Sequence, residues 1–262
     1  MTEKSTANLT SNGRSRNIMK HFRKSDSRLH RGRKLDVSLA QDPRNRDFRM
    51  GSVLSAPVGE LKSKRWECKP RLDQGAEGEC VGFGAAHWFA CAPLEQSVSK
   101  TLARLFYDGA QDHDQWPGSN YEGTSVTGLM RFLTKIGVIG EYRWIFNFEE
   151  LIQTLSLKGA VIVGAEWREG CFEPDFYGVI RFIGRKKGGH CLCADEVDFE
   201  KKRIGFVQSW GRSHGVDGRV YMSFDDVNQL MLTRPSIAFP TEQSLGKYES
   251  KPKVRRWWQI WK

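Results

Sequence analysis

Hydrophobic positions follow two different periods along the chain. In the N-terminal half, apolar residues recur every three or four positions and predict helices over residues 80–91, 99–110, 125–136 and 149–158. In the C-terminal half, apolar runs predict strands over residues 160–165, 188–194, 203–211 and 220–223. Helices that come first and strands that come later are typical of an α+β fold with a helical lobe and an antiparallel sheet lobe.

Charge divides the chain into three parts. Residues 1–49 hold 13 Lys and Arg against 5 Asp and Glu, and residues 247–262 hold 6 against 1. The whole chain has a formal net charge of +10, so the basicity belongs to the two ends and not to the body. We therefore predict a basic, flexible N-terminal arm over residues 1–41, a folded domain over 42–246 and a basic tail over 247–262.

The N-terminal arm has two interpretations that composition alone leaves open. Its Lys and Arg residues are suited to an acidic surface or to nucleic acid, which basic segments bind through the phosphates. The same composition is also found in solvated leaders that only aid solubility. The near-neutral body indicates that any contact with nucleic acid is made by the ends of the chain.

The C-terminal tail has an amphipathic pattern. Val254, Trp257, Trp258 and Trp261 fall at helical spacing, while basic residues take the other faces. Such a helix is suited to an anionic membrane surface or to a groove on a partner protein. The alternative is that the tryptophans pack against the tail's own domain.

The most distinctive chemistry lies in the segment from Asp73 to Phe83, which reads as a glycine-containing loop that turns into a helix at Cys80. A cysteine at a helix N-terminus feels the positive end of the helix dipole, which favours the nucleophilic thiolate. Gln74, six residues earlier, is placed to donate its amide N–H to a developing oxyanion. These features predict a nucleophilic thiol site.

This segment resembles the active-site segment of papain-like cysteine peptidases, whose pattern is Gln-Gly-x-x-Gly-x-Cys-x-x-Phe. Gln74, Gly75, Gly78, Cys80 and Phe83 fill that pattern. A second part of the resemblance is His190 at a strand start, followed by the segment 208–211, which reads Gln-Ser-Trp-Gly where the family has Asn-Ser-Trp-Gly. The resemblance covers residues 42–230 in order and points to a bacterial or phage-type member of the family.

The resemblance implies a papain-like two-lobed fold with a cleft between the lobes, and a polypeptide substrate. It implies hydrolysis of peptide bonds through a thiolate–imidazolium pair of Cys80 and His190. Cys80 would be the nucleophile, His190 the base and then the acid, and Gln208 the residue that orients His190. Gln74 would bind the oxyanion, and Trp210 would cover the bond between His190 and Gln208. Gly123 and Gly189 would bind the substrate backbone, and no cofactor is implied.

Two departures from the family pattern motivate a second hypothesis. Gln208 stands where the family has Asn, and Glu79 stands beside Cys80 where a small neutral residue is common. A carboxylate next to a thiol disfavours the thiolate. The alternative is therefore a papain-fold protein with impaired catalysis that serves as a binding or structural module.

The cysteines and the absence of export signals bear on location. The chain has six cysteines, and its first ten residues lack the apolar stretch of a secretory signal. We therefore expect reduced thiols and a cytoplasmic or virion-associated protein. No apolar run reaches the roughly 18 residues of a membrane span. A metal site at His190, Cys191 and Cys193 is disfavoured because neighbouring strand residues point to opposite faces.

Overall fold

The computed structural model describes residues 34–35, 37–39, 43–54, 61–116 and 121–241. The predictions for most of the N-terminal arm and for the whole C-terminal tail fall outside the described residues. None of the described helices is long and apolar enough to cross a membrane.

Five α-helices are described, and they confirm the four that the hydrophobic period predicts. Their bounds are α1 Cys80–Ala90, α2 Lys100–Gln111, α3 Val126–Lys135, α4 Phe148–Leu157 and α5 Phe224–Leu232. Helices α2 to α5 begin at Ser or Asn caps whose side chains accept a hydrogen bond from the first turn. Three short 3-10 helices cover Pro43–Phe48, Met50–Ser52 and Glu169–Cys171.

Ten strands are described among these residues. They are β1 Val37–Ser38, β2 Lys64–Arg65, β3 Thr124–Ser125, β4 Glu141–Ile145, β5 Val161–Arg168, β6 Val179–Ile180, β7 Lys186–Asp198, β8 Arg203–Val207, β9 Arg219–Ser223 and β10 Ser236–Thr241. The main sheet has the order β4-β10-β5-β7-β8-β9-β6, with β2 beside β7, and it is antiparallel except between β6 and β9. Strands β1 and β3 form a separate parallel pair.

Two hydrophobic cores correspond to the two lobes of the α+β fold. One core contains residues of α1, α2 and α3 together with Cys191 and Cys193 of β7. The other contains the aromatic and aliphatic residues of the sheet lobe, including Leu192 and Ala194 of the same strand. Successive residues of β7 therefore contribute to different cores, as the two-residue period of a strand requires.

Strands β4 and β10 and helix α5 were not predicted from the sequence. Residues 141–145 carry alternating polar and aromatic side chains, and β10 contains a proline, which disfavours a strand prediction. Both segments become strands because they pair with each other, and β10 also pairs with β5. The alternation in β4 is a local strand signal that the sequence analysis missed, whereas β10 forms despite its proline because it pairs on both sides.

Candidate active site

Cys80 is the first residue of α1, as the sequence predicts, and its side chain is fully buried. The helix follows from its composition, since all of its eleven residues are buried and apolar or small except His87. The N–H of Phe83 donates to the carbonyl oxygen of Glu79 at 3.2 Å and closes the first turn. The thiol thus lies at the positive end of a buried helix.

Helix α1 contacts strand β7 next to His190. His190 is the fifth residue of β7, so the prediction that it lies at a strand start was wrong. A Cβ atom added to Gly84, one turn after Cys80, would lie 3.0 Å from Sγ of Cys191. Cys191 directly follows His190, and a charge on Cys80 acts on the pKa of the Cys191 thiol. The helix start and the strand residue therefore come from distant parts of the sequence into one region between the two cores.

His190 makes a hydrogen bond to Gln208 that defines its tautomer. Nε2 of His190 lies 2.6 Å from Oε1 of Gln208, and a carbonyl oxygen only accepts hydrogen bonds, so Nε2 carries the proton. The same Oε1 accepts from the N–H of Ser209 at 3.0 Å, which fixes the longer side chain that stands in place of Asn. Nδ1 of His190 has no hydrogen-bond partner among the described residues.

Aromatic rings enclose the imidazole of His190. Trp210 stacks on it with 4.8 Å between ring centroids, and Trp167 meets it edge-on at 4.9 Å. Phe172 in turn stacks on the indole of Trp210, with 5.8 Å between ring centroids. Trp210 was predicted, whereas Trp167 was missed because it lies in β5, 23 positions before His190, and carries no motif of its own.

Burial is the main influence on the protonation of His190. It lowers the pKa of the imidazole to about 4, because a charged ring would lose its hydration. The hydrogen bond with Gln208 raises that pKa, and the nearby His214 lowers it. His190 is therefore a neutral imidazole in the folded protein at neutral pH.

Gln74 lies beside the Gln208–Trp210 segment. Its backbone N–H donates to the carbonyl oxygen of Ser209 at 2.9 Å, and its Oε1 accepts from the Ser209 hydroxyl at 2.5 Å. Its Nε2 donates to the carbonyl oxygen of Glu77 at 2.6 Å and to that of Lys34 at 3.4 Å. The side-chain amide therefore contacts two peptide carbonyls, that of Glu77 in the loop before Cys80 and that of Lys34.

The Lys34 carbonyl belongs to a segment whose described residues are 34–35 and 37–39, here called the segment 34–39, and this segment contacts Gln74 and Gly189. Lys34 pairs with Glu122 at 2.5 Å, and Val37 and Ser38 pair with Thr124 and Ser125 in the β1–β3 ladder. The side chains of Leu35 and Val37 are buried. The chain's own backbone thus contacts Gln74 and Gly189, two of the residues predicted to act on the substrate.

The two glycines predicted to bind substrate differ in what they contact. A Cβ atom on Gly189 would lie 2.2 Å from the carbonyl oxygen of Val37, so only glycine permits this approach. Gly123 has both backbone groups engaged: its N–H donates to the Tyr107 hydroxyl at 2.9 Å, and its carbonyl accepts from Gln111 at 3.1 Å. The two residues that follow Gly123, Thr124 and Ser125, pair with β1 of the same chain.

All six cysteines are free and buried. Cys91 and Cys193 lie 3.6 Å apart between their sulfur atoms, and burial raises the pKa of both thiols, that of Cys193 to about 11. The described residues contain no group of three or more His, Cys, Asp or Glu that could hold a metal ion. His87 is structural, since its buried Nε2 accepts from the N–H of Leu72 at 3.1 Å.

No protein-family model and no curated protein sequence matches the chain. Solved structures do match its fold. Xylellain, a cysteine protease from Xylella fastidiosa, has a TM-score of 0.60 at 15% identity, over 80% of this chain and 96% of its own. Digestive procathepsin L 3 of Tenebrio molitor larval midgut has a TM-score of 0.52 at 13% identity, over 86% and 89%. ProCathepsin B S9 from Trypanosoma congolense has a TM-score of 0.51 at 10% identity, over 90% and 92%.

These likenesses span most of this chain and nearly all of each solved structure. Together with the two cores and the mostly antiparallel sheet, they establish the architecture that the sequence predicted. The chain has the two-lobed α+β fold of papain-like cysteine proteases.

Proposed function

We propose that the protein is a papain-like cysteine peptidase that hydrolyses peptide bonds through Cys80 and His190. The observation that carries the proposal is the 2.6 Å hydrogen bond between Nε2 of His190 and Oε1 of Gln208. It keeps the proton on Nε2, so the lone pair of the neutral imidazole is on Nδ1, the nitrogen with no hydrogen bond to any other described residue. Gln208 thereby performs the orienting role that the resemblance assigns to Asn.

Acylation starts with the transfer of the Cys80 thiol proton to Nδ1 of His190. The sulfur then attacks the carbonyl carbon of the scissile peptide bond, and the carbonyl oxygen becomes an oxyanion. Nε2 of Gln74 stabilises that oxyanion together with the backbone N–H of Cys80; such donors contribute about 100- to 1000-fold in rate. The C–N bond breaks as Nδ1 returns the proton to the leaving amine.

Deacylation repeats the same proton transfers with water. His190 takes a proton from a water molecule, the hydroxide attacks the thioester, and the C–S bond breaks to release the carboxylic acid and the thiol. The indole of Trp210 keeps other water from the bond between His190 and Gln208. Burial favours the neutral imidazole, which is the form that starts both half-reactions.

A substrate needs the position that residues 34–39 occupy. The carbonyl oxygen of Lys34 lies 3.4 Å from Nε2 of Gln74, where the proposal places the substrate oxyanion. Thr124 and Ser125 offer the backbone groups to which an extended peptide would pair, and they now pair with β1. The active form is therefore one in which this segment has left the site.

Labelling with a thiol-directed epoxide tests the proposal. Mass spectrometry of the labelled protein is expected to find Cys80 modified at least about tenfold faster than Cys91 or Cys193, whose thiols burial keeps protonated. C80A should abolish hydrolysis of a mixed peptide substrate, and H190N should leave Cys80 in place while removing its fast labelling. Equal labelling of the three cysteines would refute the proposal.

A second candidate is a papain-fold binding or structural protein without turnover. The observation in its favour is the segment 34–39 seated in the site, together with the carboxylate of Glu79 beside Cys80. Under this hypothesis, a variant with Asn at position 208 and a small residue at position 79 gains activity that the parent lacks. Turnover by the parent protein excludes it.

A further inference from the structure

The carboxylate beside Cys80, which departs from the family pattern, has a cationic partner. Nε of Arg104, on α2, donates to Oε1 of Glu79 at 2.9 Å, and Nη2 of the same guanidinium donates to Oε2 of Glu77. One planar side chain therefore holds both carboxylates of the loop that precedes the cysteine. The Glu79 side chain is 12% exposed, so its charge is poorly screened by water.

Close packing of α1 on α2 fixes the place of Arg104. A Cβ atom on Gly82 would lie 2.1 Å from the carbonyl oxygen of Ala103, the residue before Arg104. The absence of a side chain at position 82 lets the two helix backbones meet there. This contact lies two positions after Cys80 on α1 and one position before Arg104 on α2, so it places Arg104 near the start of α1.

The loop that Arg104 holds also carries the amide predicted to bind the oxyanion. The backbone carbonyl of Glu77 accepts from Nε2 of Gln74 at 2.6 Å. The guanidinium fixes the side chain of Glu77, and the backbone of Glu77 fixes Gln74. Arg104 therefore acts through the loop that precedes Cys80, by way of its hydrogen bonds to Glu77 and Glu79.

We infer that Arg104 is a positioning residue for Cys80: it neutralises Glu77 and Glu79 and so allows a thiolate to form beside them. This inference rests on the proposed function. Arg104 lowers the pKa of the Glu77 carboxyl, whereas burial raises that of Glu79 and Arg104 opposes this rise. Without the guanidinium of Arg104, the carboxylates of Glu77 and Glu79 have lost their cationic partner. Any of them that is ionised then repels a thiolate at position 80.

Other charged and titratable groups lie on the elements packed around this loop. They are Lys100 and Asp108 of α2, His190 and Cys191 of β7, Lys34 of the segment 34–39, and Glu122, which pairs with Lys34 and lies just before β3. His190 is the other group that can stabilise a thiolate. The effect of Arg104 is therefore measured as a shift of a pH profile that His190 also shapes.

The test is the pH profile of Cys80 labelling by the epoxide in the full-length protein. In R104Q, the midpoint of the profile is expected to rise, so that labelling at pH 6 becomes about 3- to 10-fold slower while the rate at high pH is retained. The variant E77Q/E79Q/R104Q should return the midpoint towards that of the parent. R143Q, which removes an arginine from a carboxylate pair on the distant edge strand β4, is the matched control and should leave the profile unchanged.

The outcomes separate the two proposals. An unshifted midpoint in R104Q, with fast labelling of Cys80 in the parent, overturns the role of Arg104 alone. An equal loss of rate at every pH, with no rescue in the triple variant, also overturns it, because a purely structural role lowers the rate without moving the midpoint. Labelling of parent Cys80 no faster than that of Cys193 overturns the proposed function and this inference together.

Discussion

Nε2 of His190 donates a hydrogen bond to Oε1 of Gln208 over 2.6 Å, although His190 lies within β7 and Gln208 directly follows β8, 18 positions away. The extra methylene of Gln, relative to the Asn of the family pattern, is accommodated because the N–H of Ser209 donates to the same oxygen. The side chain is fully buried, and its Oε1 accepts from both His190 and Ser209, while its Nε2 has no hydrogen-bond partner among the described residues.

Shortening Gln208 is therefore expected to harm the site. Q208N withdraws the carbonyl from the imidazole, and we expect peptide hydrolysis about 10- to 100-fold slower than in the parent, from the usual effect of losing an orienting partner. Q208A should cost about 1–3 kcal/mol of stability as well, because it leaves a buried N–H without a partner. The measurements are kcat/KM and urea unfolding. A gain of activity in Q208N would instead favour the hypothesis of an inactive parent.

Loosening the segment 34–39 is expected to expose the site. Val37 is buried against Gly189, and its Cγ2 lies 3.3 Å from a Cβ built on Gly164. A charge placed in this apolar contact is unfavourable, so V37E should release the segment and speed the labelling of Cys80 severalfold.

The control for this prediction is V53E, since Val53 is 40% exposed and lies after the short helix Met50–Ser52. Its labelling rate should equal that of the parent. Identical rates in V37E and the parent would mean that the segment does not limit access to Cys80. Hydrolysis of a peptide substrate, followed in parallel, should change in the same direction as labelling.

The buried histidines predict that the protein loses stability in mild acid. Burial lowers the pKa of His190 to about 4 and that of His87 to about 3, whereas both residues titrate near 6.5 when unfolded. Below pH 6.5 the two histidines bind protons in the unfolded state but not in the folded state. The free energy of unfolding therefore falls as the pH drops towards 4. Each histidine contributes about 1.4 kcal/mol per pH unit.

Urea unfolding of the parent and of H87Q between pH 7 and pH 4.5 measures this dependence. Gln at position 87 offers an acceptor for the N–H of Leu72 but does not titrate. The slope of the free energy of unfolding against pH should therefore be shallower in H87Q, by the equivalent of about one proton. H87Q itself is expected to cost about 1–3 kcal/mol at pH 7, because the repacking of a buried polar side chain is imperfect. Parallel slopes for the two proteins would contradict the prediction.

Close contact between α1 and α2 predicts that G82A is destabilising. The added methyl group would meet the backbone oxygen of Ala103 at 2.1 Å, and backbone atoms of a packed helix cannot move aside cheaply. We expect a cost of about 1–3 kcal/mol in urea unfolding, which is the usual range for overpacking. A86G, in the same helix, is the control for helix propensity and the loss of one buried methyl group, and it should cost about 1–2 kcal/mol. A smaller loss of stability in G82A than in A86G would contradict this prediction.

Much of the helical lobe could be read from the sequence because its signals are local. The apolar residues of α1 to α3 and the glycine-containing loop before Cys80 act within a few residues of chain. The same holds for the position of Cys80 at the start of α1. Such features are determined by neighbours along the sequence, and they were predicted within one or two residues.

Only the tertiary structure decided which distant residues complete the site. Ser209 bonds to Gln74 across 135 positions, and Arg104 reaches the two carboxylates before Cys80 from another helix. Trp167 covers His190 from a neighbouring strand, and the carbonyl of Lys34 meets the amide of Gln74. A sequence specifies local conformation through short-range sterics and hydrogen bonds, whereas contacts between remote segments exist only once both cores have packed and brought those segments together.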